Sequence, residues 1–518
     1  MPEKGAGLLC EGDPLKLMIH SARLSETPRV RRMAAEKTSQ AGQSCLVADP
    51  MNFSVTPRHE GEGFRFDVAA EGQSRSYFIP ADTQQAFSAF YLSLAQDFGT
   101  RVPHVYSDER EHPDAIIRWR PLLTENVDPQ ILAGYGDPAV VKADDGWWLV
   151  ATSNDAPDAF PILHSADLTH WQRKAFLFAE GSEPAWTAKG RNVADFWAPE
   201  MAKVGEEYWA VFSARQLTSA FAIGLARAPS PLGPWIDNGR PLVTGKPLDM
   251  VGLGFDLTQP QTSGGVIDPD LFVDCDGERY LFWKDDTNSI WPRPLAMLLR
   301  SRPELIDQLF SAEEDRRTAA FAAAVVGWAN VQRPMVRFFV MHPLIEAAIA
   351  NWMQVRSTLI DFGLAPAMLE AMTTPLRGQR IAPDGRSLIG ESEIMLTNDL
   401  DWEGHLIEGP FVTRQQGRYW LFYAGNDFST PSYGIGVAVA DHPLGPYEKQ
   451  PAPLLRSTRE WLAPGHPSVA PGRDGKPQLF FHAFHPGAAG YNAFRALLTV
   501  GLSFTQERVE VAELPESQ

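Results

Sequence analysis

The sequence contains little cysteine, no long hydrophobic run and no excess of positive charge. Only three cysteines occur among 518 residues, an odd number with no metal-ligand spacing. A disulfide framework is therefore not expected, and a reducing compartment is the default. No stretch approaches the roughly 18 apolar residues of a transmembrane helix, so we expect no membrane partner. The net charge of −18 disfavours a nucleic-acid partner, whose phosphates it would repel.

The rest of the composition is typical of a soluble globular protein. Hydrophobic residues make up 44% and charged residues 21%, which excludes the disordered and fibrous classes. The 15 tryptophans and 29 phenylalanines are typical of an all-β core or of a carbohydrate site, where flat rings stack on sugar faces. The N-terminus carries no basic segment followed by an apolar run, so a cytoplasmic location is expected. The negative charge also favours a neutral ligand over a polyuronate.

One phrase repeats five times from about residue 135 onward: a turn glycine followed by an apolar, mostly aromatic strand. A short strand that opens with proline precedes each glycine. A tight hairpin turn needs a positive φ, which glycine supplies without strain. The five glycines are Gly146, Gly205, Gly277, Gly417 and Gly475. Four strands with their turns occupy roughly 40 to 60 residues, so each repeat predicts one blade of a five-bladed β-propeller.

The longest interval between repeats, from Gly277 to Gly417, holds a segment of different character. Residues 294–374 show the apolar periodicity of helices, which predicts an α-helical insertion in blade three. Ahead of the repeats, short alternating runs from Asn52 to Phe78 predict strands, and the pattern from Asp82 to Phe98 predicts a helix.

The predicted fold is therefore mainly β, a five-bladed propeller with a small N-terminal α+β unit and a helical insertion in blade three. The predicted boundaries follow the changes in composition. They are a loose leader over 1–48, a strand and helix domain over 49–130, blades one to three over 131–293, the helical insertion over 294–380, and the end of blade three to blade five over 381–518.

Three acids and a histidine occupy one register of the repeat. Counting back nine residues from the turn glycines gives Asp137, Asp268, Glu408 and His466, whereas the second repeat gives Phe196. First strands line the channel of a propeller, so these side chains should converge. A single Asp-Pro is usually a turn device. Three carboxyl groups in one crowded place instead drive their pKa values apart, which suits acetal cleavage by one proton donor and one base.

Residues 135 to about 505 resemble glycoside hydrolase family 43. The phrases that carry the resemblance are GYGDPAVV, VIDPDLFVDCDG and WEGHLIEGPFV. The resemblance implies a five-bladed enzyme that acts with inversion. It also implies that Asp137 is the general base, Asp268 the group that modulates and orients the acid, and Glu408 the general acid.

Weaker candidates surround this trio. Trp197 and Phe196 are candidate substrate-binding residues. Trp197 is a candidate stacking platform for a sugar, with a role in the core as the alternative. The resemblance implies that Arg495 reaches the sugar, although a solvated strand arginine is the alternative. It also places His466 near the axis, where the histidine contributes to substrate binding or faces a water-held calcium. No cofactor is expected to be required.

The predicted function is release of arabinofuranose or xylose from the non-reducing ends of neutral oligosaccharides. The family divides among β-xylosidases, α-L-arabinofuranosidases, arabinanases and galactanases, and the sequence does not separate these. The helical insertion is expected to wall a pocket or to form a contact between copies of the chain. Two alternatives stay open: a hydrolase or phosphorylase of a neighbouring five-bladed family, and a non-catalytic propeller that binds sugar or acts as a scaffold.

Overall fold

A computed structural model describes most of the chain. The described residues are 52–103, 112–132, 134–153, 156–188, 195–217, 220–246, 264–286, 292–350, 352–361, 373–487, 490 and 493–514. The predicted leader over 1–48 lies outside them. The described residues are mainly β, as predicted. In this part of the chain, none of the helices combines the length and apolarity needed to cross a membrane.

A three-stranded antiparallel sheet and one helix begin the described chain. The elements are β1 (Ser54–Glu60), β2 (Gly63–Ala70), β3 (Gln73–Ile79) and α1 (Gln84–Phe98). The Thr83 hydroxyl accepts a hydrogen bond from the Ala86 N–H at the start of α1, and Gly99 ends the helix at φ +64°. A side-chain oxygen at the first position and a left-handed glycine after the last are the usual helix boundaries.

Two antiparallel sheets follow a short strand, β4 (Arg120–Leu123). Sheet 1 consists of β5 (Ala139–Ala143), β6 (Gly146–Val150), β7 (Ala159–Ser165) and β8 (Gln172–Phe178). Sheet 2 consists of β9 (Phe196–Val204), β10 (Glu207–Arg215), β11 (Phe221–Ala228) and β12 (Ile236–Asp237). In both sheets each strand pairs with the next along the chain.

Sheet 3 is interrupted by helices. Its first two strands are β13 (Val266–Val273) and β14 (Arg279–Asp285). The helices are α2 (Arg293–Ser301), α3 (Ile306–Leu309), α4 (Glu313–Ala329), α5 (Pro334–Ile349) and α6 (Trp352–Asp361). The sheet resumes with β15 (Leu376–Ile381) and β16 (Leu388–Leu396). Strand structure thus returns earlier than residue 381, because the polar residues of β15 obscure its pattern in the sequence.

Two more sheets complete the chain. Sheet 4 consists of β17 (Ile407–Gln415), β18 (Arg418–Gly425), β19 (Gly434–Ala440) and β20 (Glu448–Lys449), with β21 (Leu455–Arg456) also on β19. Sheet 5 consists of β22 (Leu462–Pro471), β23 (Pro477–Phe484), β24 (Ala496–Phe504) and β25 (Val509–Ala512). All five turn glycines have positive φ, as predicted.

The five sheets contact one another in a circuit. The first strands touch in the order β5, β9, β13, β17 and β22, and β22 touches β5 again. A separate hydrophobic cluster lies between each pair of consecutive sheets, including one between sheets 5 and 1. Strand β4 pairs with β24, where Leu123 lies opposite Leu497. The chain that leads into sheet 1 is therefore hydrogen-bonded to sheet 5.

The N-terminal unit and the inserted helices share one hydrophobic core, although they were predicted as separate domains. This core contains buried residues of β1 to β3, of α1 and of helices α2 to α6. The ring of Phe321 on α4 lies within 6.1 Å of Phe53 and Phe90 and within 6.3 Å of Tyr91. A three-stranded sheet with one helix has little apolar surface to bury alone, so the inserted helices complete its core.

Replacing Phe321 with alanine should therefore destabilise both segments together. We expect Phe321→Ala to lower the free energy of unfolding by about 3–5 kcal/mol, since a buried ring is lost and leaves a cavity. Phe78→Ala is the control, because that ring is half exposed. Chemical denaturation with hydrogen exchange checks the result. Loss of protection in the helices alone, with residues 53–98 still protected, would contradict a shared core.

Candidate active site

A left-handed residue followed by proline marks each first strand. Its φ is +54° at Asp137, +55° at Asp268, +50° at His466, +47° at Ala198 and +56° at Gly409. In sheets 2 to 5 the strand pairing shifts register next to this residue. The five first strands touch, so these residues lie at one end of one assembly. Asp137, Asp268 and His466 occupy the shared position that the count of nine predicts.

The count of nine is not exact for the other two sheets. In sheet 2 the left-handed residue is Ala198, and Phe196 precedes it by two positions. In sheet 4 it is Gly409, and Glu408 stands one position earlier. The turns between the first and second strands differ in length. In sheet 2, Val204 pairs with Glu207, whereas the corresponding turns of sheets 3 and 5 are longer. The number of residues between the left-handed residue and the turn glycine therefore varies from sheet to sheet.

Asp137 is held as a carboxylate by Arg495, from the loop before β24, and by Thr152, which follows β6. Arg495 Nη1 donates to its Oδ1 at 2.8 Å, and the Thr152 hydroxyl donates to its Oδ2. Burial alone would raise the pKa of Asp137. Arg495 opposes this most strongly, then His466 and His482, and the pKa lies well below its ordinary value. Gly136 makes this contact possible, because a Cβ there would lie 1.8 Å from Arg495 Cζ. The carboxylate is suited to act as a base.

Two buried histidines stand beside this carboxylate. His466 Nδ1 lies 3.5 Å and His482 Nδ1 lies 3.6 Å from Asp137 Oδ1. The Asp137 N–H donates to His482 Nδ1 at 3.1 Å, so that nitrogen carries no proton. Burial lowers the pKa of both histidines, which keeps them neutral. Arg495 thus places a positive charge in direct contact with the Asp137 carboxylate.

The described protein atoms do not by themselves provide a cation site at His466. Within the described ranges, no group of three or more histidine, cysteine, aspartate or glutamate side chains has the arrangement of a metal site. Calcium also prefers oxygen ligands, and the neighbours of His466 include a second imidazole and a guanidinium. A calcium held mostly by water stays a prediction.

Asp268 and Glu408 are buried neighbours in different environments. Asp268 Oδ2 accepts a hydrogen bond from the Gly409 N–H at 3.0 Å. Burial and the charge of Glu408 raise the pKa of Asp268 well above its ordinary value, although Lys284 acts in the opposite direction. Glu408 accepts from Lys284 Nζ at Oε2 and from the Tyr433 hydroxyl at Oε1, each at 2.8 Å. The two carboxyl groups thus have different hydrogen-bond partners.

Five residues at the ends of the second strands surround this site, and the sequence interpretation missed them. They lie opposite the residue before the left-handed position and are Thr152, Ser213, Lys284 and His482, with Ala424 as the fifth member. Thr152, Ser213 and His482 each accept a main-chain N–H of the following sheet, and Lys284 donates to Glu408. These residues lie six to eight positions after the turn glycines, a register that could have revealed them.

Trp197 and Phe196 have different surroundings. Phe196 is fully buried in the cluster between sheets 1 and 2, against Phe160 and Phe212, so its ring is part of the core. Trp197 is partly exposed, and its ring centroid lies 4.3 Å from that of Phe221. Trp197 therefore keeps an accessible aromatic surface.

A second pair of carboxyl groups lies farther along the first strands. Asp270 on β13 and Glu200 on β9 are both buried, and each stands two positions after a left-handed residue. Burial raises the pKa of Asp270 to about 8 and that of Glu200 well above its ordinary value, with Asp270 raising the latter further. Asp270 accepts the Val412 N–H at 2.8 Å. The pair joins neighbouring sheets and does not extend the ionised part of the site.

Two buried carboxyl groups with pKa values shifted in opposite directions, Asp137 and Asp268, are suited to acid–base chemistry. The family comparison gives the more specific class. The model of "Glycosyl hydrolases family 43" matches residues 128–314 and 367–506, which is more than half of the chain. The chain belongs to glycosyl hydrolases family 43. Residues 315–366, which contain most of the inserted helices, and residues 1–127 lie outside the match.

Individual relatives match smaller parts. The chain is 29% identical over 167 residues to an "Arabinoxylan arabinofuranohydrolase" of Bacillus subtilis, covering 29% of this chain and 30% of that protein. It is 33% identical over 165 residues to a "Probable arabinan endo-1,5-alpha-L-arabinosidase B" of Aspergillus fumigatus, covering 31% of this chain and 40% of that protein. These matches thus span less than half of each relative. A crystal structure of a thermostable family-43 glycoside hydrolase has the same fold, with TM-score 0.50, 23% identity and coverage of 74% and 95%.

The Arg495–Asp137 contact predicts a pH-dependent stability. A carboxyl group whose pKa is lowered on folding contributes stability above its unfolded pKa, and the contribution is lost as pH falls through the folded value. In Arg495→Met the pKa of Asp137 should rise. The unfolding free energy of Arg495→Met should therefore fall furthest below that of the wild-type protein near pH 7. This difference should become smaller below about pH 4.

Chemical denaturation of both proteins across this pH range measures the effect. Arg459→Met is the matched control, because Arg459 forms an exposed ion pair with Asp114 and should show little change at any pH. If the difference in unfolding free energy between the wild-type protein and Arg495→Met stays constant from pH 7 to pH 3, Arg495 does not set the charge of Asp137.

Proposed function

We propose that this protein is an inverting glycosidase that releases arabinofuranose or xylose from the non-reducing ends of neutral oligosaccharides. The observation that carries the proposal is the contrast between Asp137 and Asp268. One is held ionised by Arg495, and the other is pushed toward its protonated form by burial and by Glu408. Glycoside hydrolysis by two carboxyl groups requires this division between a base and a proton source.

The proposal includes the architecture that assembles the site. We take the five sheets as the blades of a five-bladed β-propeller, with the helices inserted in blade three. The circuit of first strands, the cluster between sheets 5 and 1 and the pairing of β4 with β24 support this arrangement. A closed ring brings one position of every blade to a common axis, and we place Asp137, Asp268 and the neighbouring position Glu408 there.

The proposed roles follow from the contacts of each carboxyl group. Asp137 is the general base, since Arg495 and Thr152 keep it ionised and oriented. Glu408 is the general acid that protonates the leaving oxygen, and Asp268 modulates the pKa of this acid and orients it. Inversion requires a water between base and acid, with the two carboxyl groups about 6.5–9.5 Å apart.

The proposed substrate is a neutral pentose chain. The relatives named above act, by their names, on arabinoxylan and arabinan. The exposed part of Trp197 offers a flat surface for a sugar ring, and the net charge of −18 favours a neutral ligand. Of the charged groups described above, only Arg495 and Lys284 bring positive charge to the carboxyl groups, and both are paired with them. The choice of a single-residue product over internal cleavage remains part of the proposal.

Removing either the base or the acid should abolish most turnover. We expect Asp137→Asn and Glu408→Gln each to lower kcat by about 10²- to 10⁴-fold, the usual contribution of a positioned acid or base. The assay uses nitrophenyl α-L-arabinofuranoside, β-xyloside and β-galactoside. Asp441→Asn is the control, because that carboxylate is exposed. Failure of the wild-type protein to cleave any of these glycosides would favour another hydrolase, a phosphorylase or a non-catalytic binding protein.

The stereochemistry and the product size form a separate prediction. Proton NMR at early times should show the first-formed sugar with the anomeric configuration opposite to that of the substrate. Arabino- and xylo-oligosaccharides labelled at the reducing end should lose one unlabelled residue at a time. Retention would contradict the assignment of Asp137 as a base, and labelled fragments of many lengths would show internal cleavage.

A further inference from the structure

His482 on β23 contacts the main chain of Asp137 from sheet 5. Its side chain is fully buried, and its Nδ1 accepts the Asp137 N–H at 3.1 Å. A main-chain N–H can only donate, so Nδ1 must present its lone pair. A neutral imidazole carries one proton, which is therefore on Nε2. The hydrogen bond thus selects one of the two neutral forms of the ring.

The rest of the His482 ring lies among aromatic side chains. The Tyr433 ring is nearly parallel to it, at 15° with 6.2 Å between centroids, and the Phe484 ring is inclined at 70° with the same separation. Nε2 is buried, and none of the described residues supplies a hydrogen-bond acceptor for its proton. Burial of a polar group without a partner is unfavourable. An apolar side chain would avoid this penalty, so the contact of Nδ1 is what an imidazole adds here.

The main chain around Asp137 is fixed by bonds from outside its own strand. Asp137 has φ +54° and is followed by Pro138, which has no N–H to donate. The Tyr135 N–H donates to the Arg495 carbonyl oxygen at 2.8 Å, and the Asp137 N–H donates to His482. A left-handed conformation at a residue with a side chain persists only where its surroundings hold it. These two bonds hold the segment that leads into β5.

Other sheets supply an acceptor at the same position. The Ala198 N–H donates to the Thr152 hydroxyl at 2.8 Å, and the Asp268 N–H donates to the Ser213 hydroxyl at 2.9 Å. The left-handed residues of sheets 1, 2 and 3 thus each donate to a side chain at the end of a second strand. The acceptor is an imidazole only for Asp137.

An imidazole differs from a hydroxyl group in what it offers to the Asp137 carboxylate. Nδ1 of His482 lies 3.6 Å from Asp137 Oδ1, and in this form it has no proton to give. A hydroxyl group could donate as well as accept. The Asp137 oxygens therefore keep Arg495 and Thr152 as their donors, while His482 acts on the main chain.

The charged and titratable groups around His482 favour the neutral ring that this contact needs. They are Asp137 before β5, Arg495 before β24, His466 on β22 and Tyr433 before β19. Burial first, and then Arg495, lower the pKa of His482 well below its ordinary value, although Asp137 acts in the opposite direction. The ring is therefore neutral near pH 7.

We propose that His482 is a positioning residue for the proposed base. Its unprotonated Nδ1 holds the Asp137 main chain in the left-handed conformation and thereby sets the direction in which the carboxylate leaves the strand. This inference rests on the proposed function, because it concerns the residue that activates water.

Two substitutions of equal shape separate the acceptor from the packing of the ring. Asparagine places an oxygen where His482 has Nδ1, whereas leucine places a methyl group there and leaves the buried Asp137 N–H without a partner. Both lose the same part of the ring. We expect kcat of His482→Leu to be about 10-fold or more below that of His482→Asn, with similar KM, because a displaced base slows the chemical step. The assay uses the nitrophenyl glycosides named above.

His485→Leu is the control, because His485 is an exposed histidine of the same segment and its loss should leave kcat unchanged. A role of His482 in packing alone would lower kcat equally in the asparagine and leucine variants. Equal kcat values in the two folded variants would therefore overturn the proposal.

A second measurement tests the contact without turnover. Proton–nitrogen correlation NMR of the wild-type protein, with ¹⁵N-labelled histidine and His482→Asn to assign the signals, should show the His482 proton on Nε2. A proton on Nδ1 at neutral pH would overturn the proposal, also if neither variant folds. If the wild-type protein cleaves no glycoside, the proposed function fails, whereas this spectrum still decides whether His482 accepts the Asp137 N–H.

Discussion

The site depends on one backbone constraint, the left-handed residue before a proline in each first strand. At Asp137, Asp268 and His466 this conformation costs roughly 1–3 kcal/mol, because a side chain is present. Hydrogen bonds from other sheets offset the strain: the Asp137 N–H donates to His482 of sheet 5 and the Asp268 N–H to Ser213 of sheet 2. The conformation is therefore stable only when neighbouring sheets are in contact, and the site forms with the assembly.

The charges of the site follow from the same arrangement. Asp137 receives Arg495 from the loop before β24, and Glu408 receives Lys284 from β14, so each carboxylate is paired with a cation of the preceding sheet in the circuit. The Asp268 carboxyl group instead accepts the Gly409 main-chain N–H, while the Asp268 N–H donates to the Ser213 hydroxyl. Because these groups are buried, each contact acts with little screening by water. Asp137 and Asp268, which occupy the same position of the repeat, thus acquire pKa values that are shifted in opposite directions.

The repeated phrases predicted the mainly β fold, the turns and the three carboxyl groups, because turn glycines and strand-opening prolines have direct backbone causes. The shared core of Phe53 and Phe321 could not be predicted, since packing between distant segments leaves no local pattern. Lys284 and Ser213 were missed for another reason. Their register is regular, but their chemistry differs from one sheet to the next, so only the contact with a neighbouring sheet reveals a common role.

The shared core gives the inserted helices a position relative to the site. Trp352, at the start of α6, lies 6.0 Å from the ring of His405, and His405 belongs to the segment that leads into β17 and Glu408. The same helices complete the core of residues 53–98. A unit built from both segments therefore borders the chain that carries the proposed acid. Changes in this unit can alter what reaches Glu408 while the five sheets, which fix the carboxyl groups, stay the same.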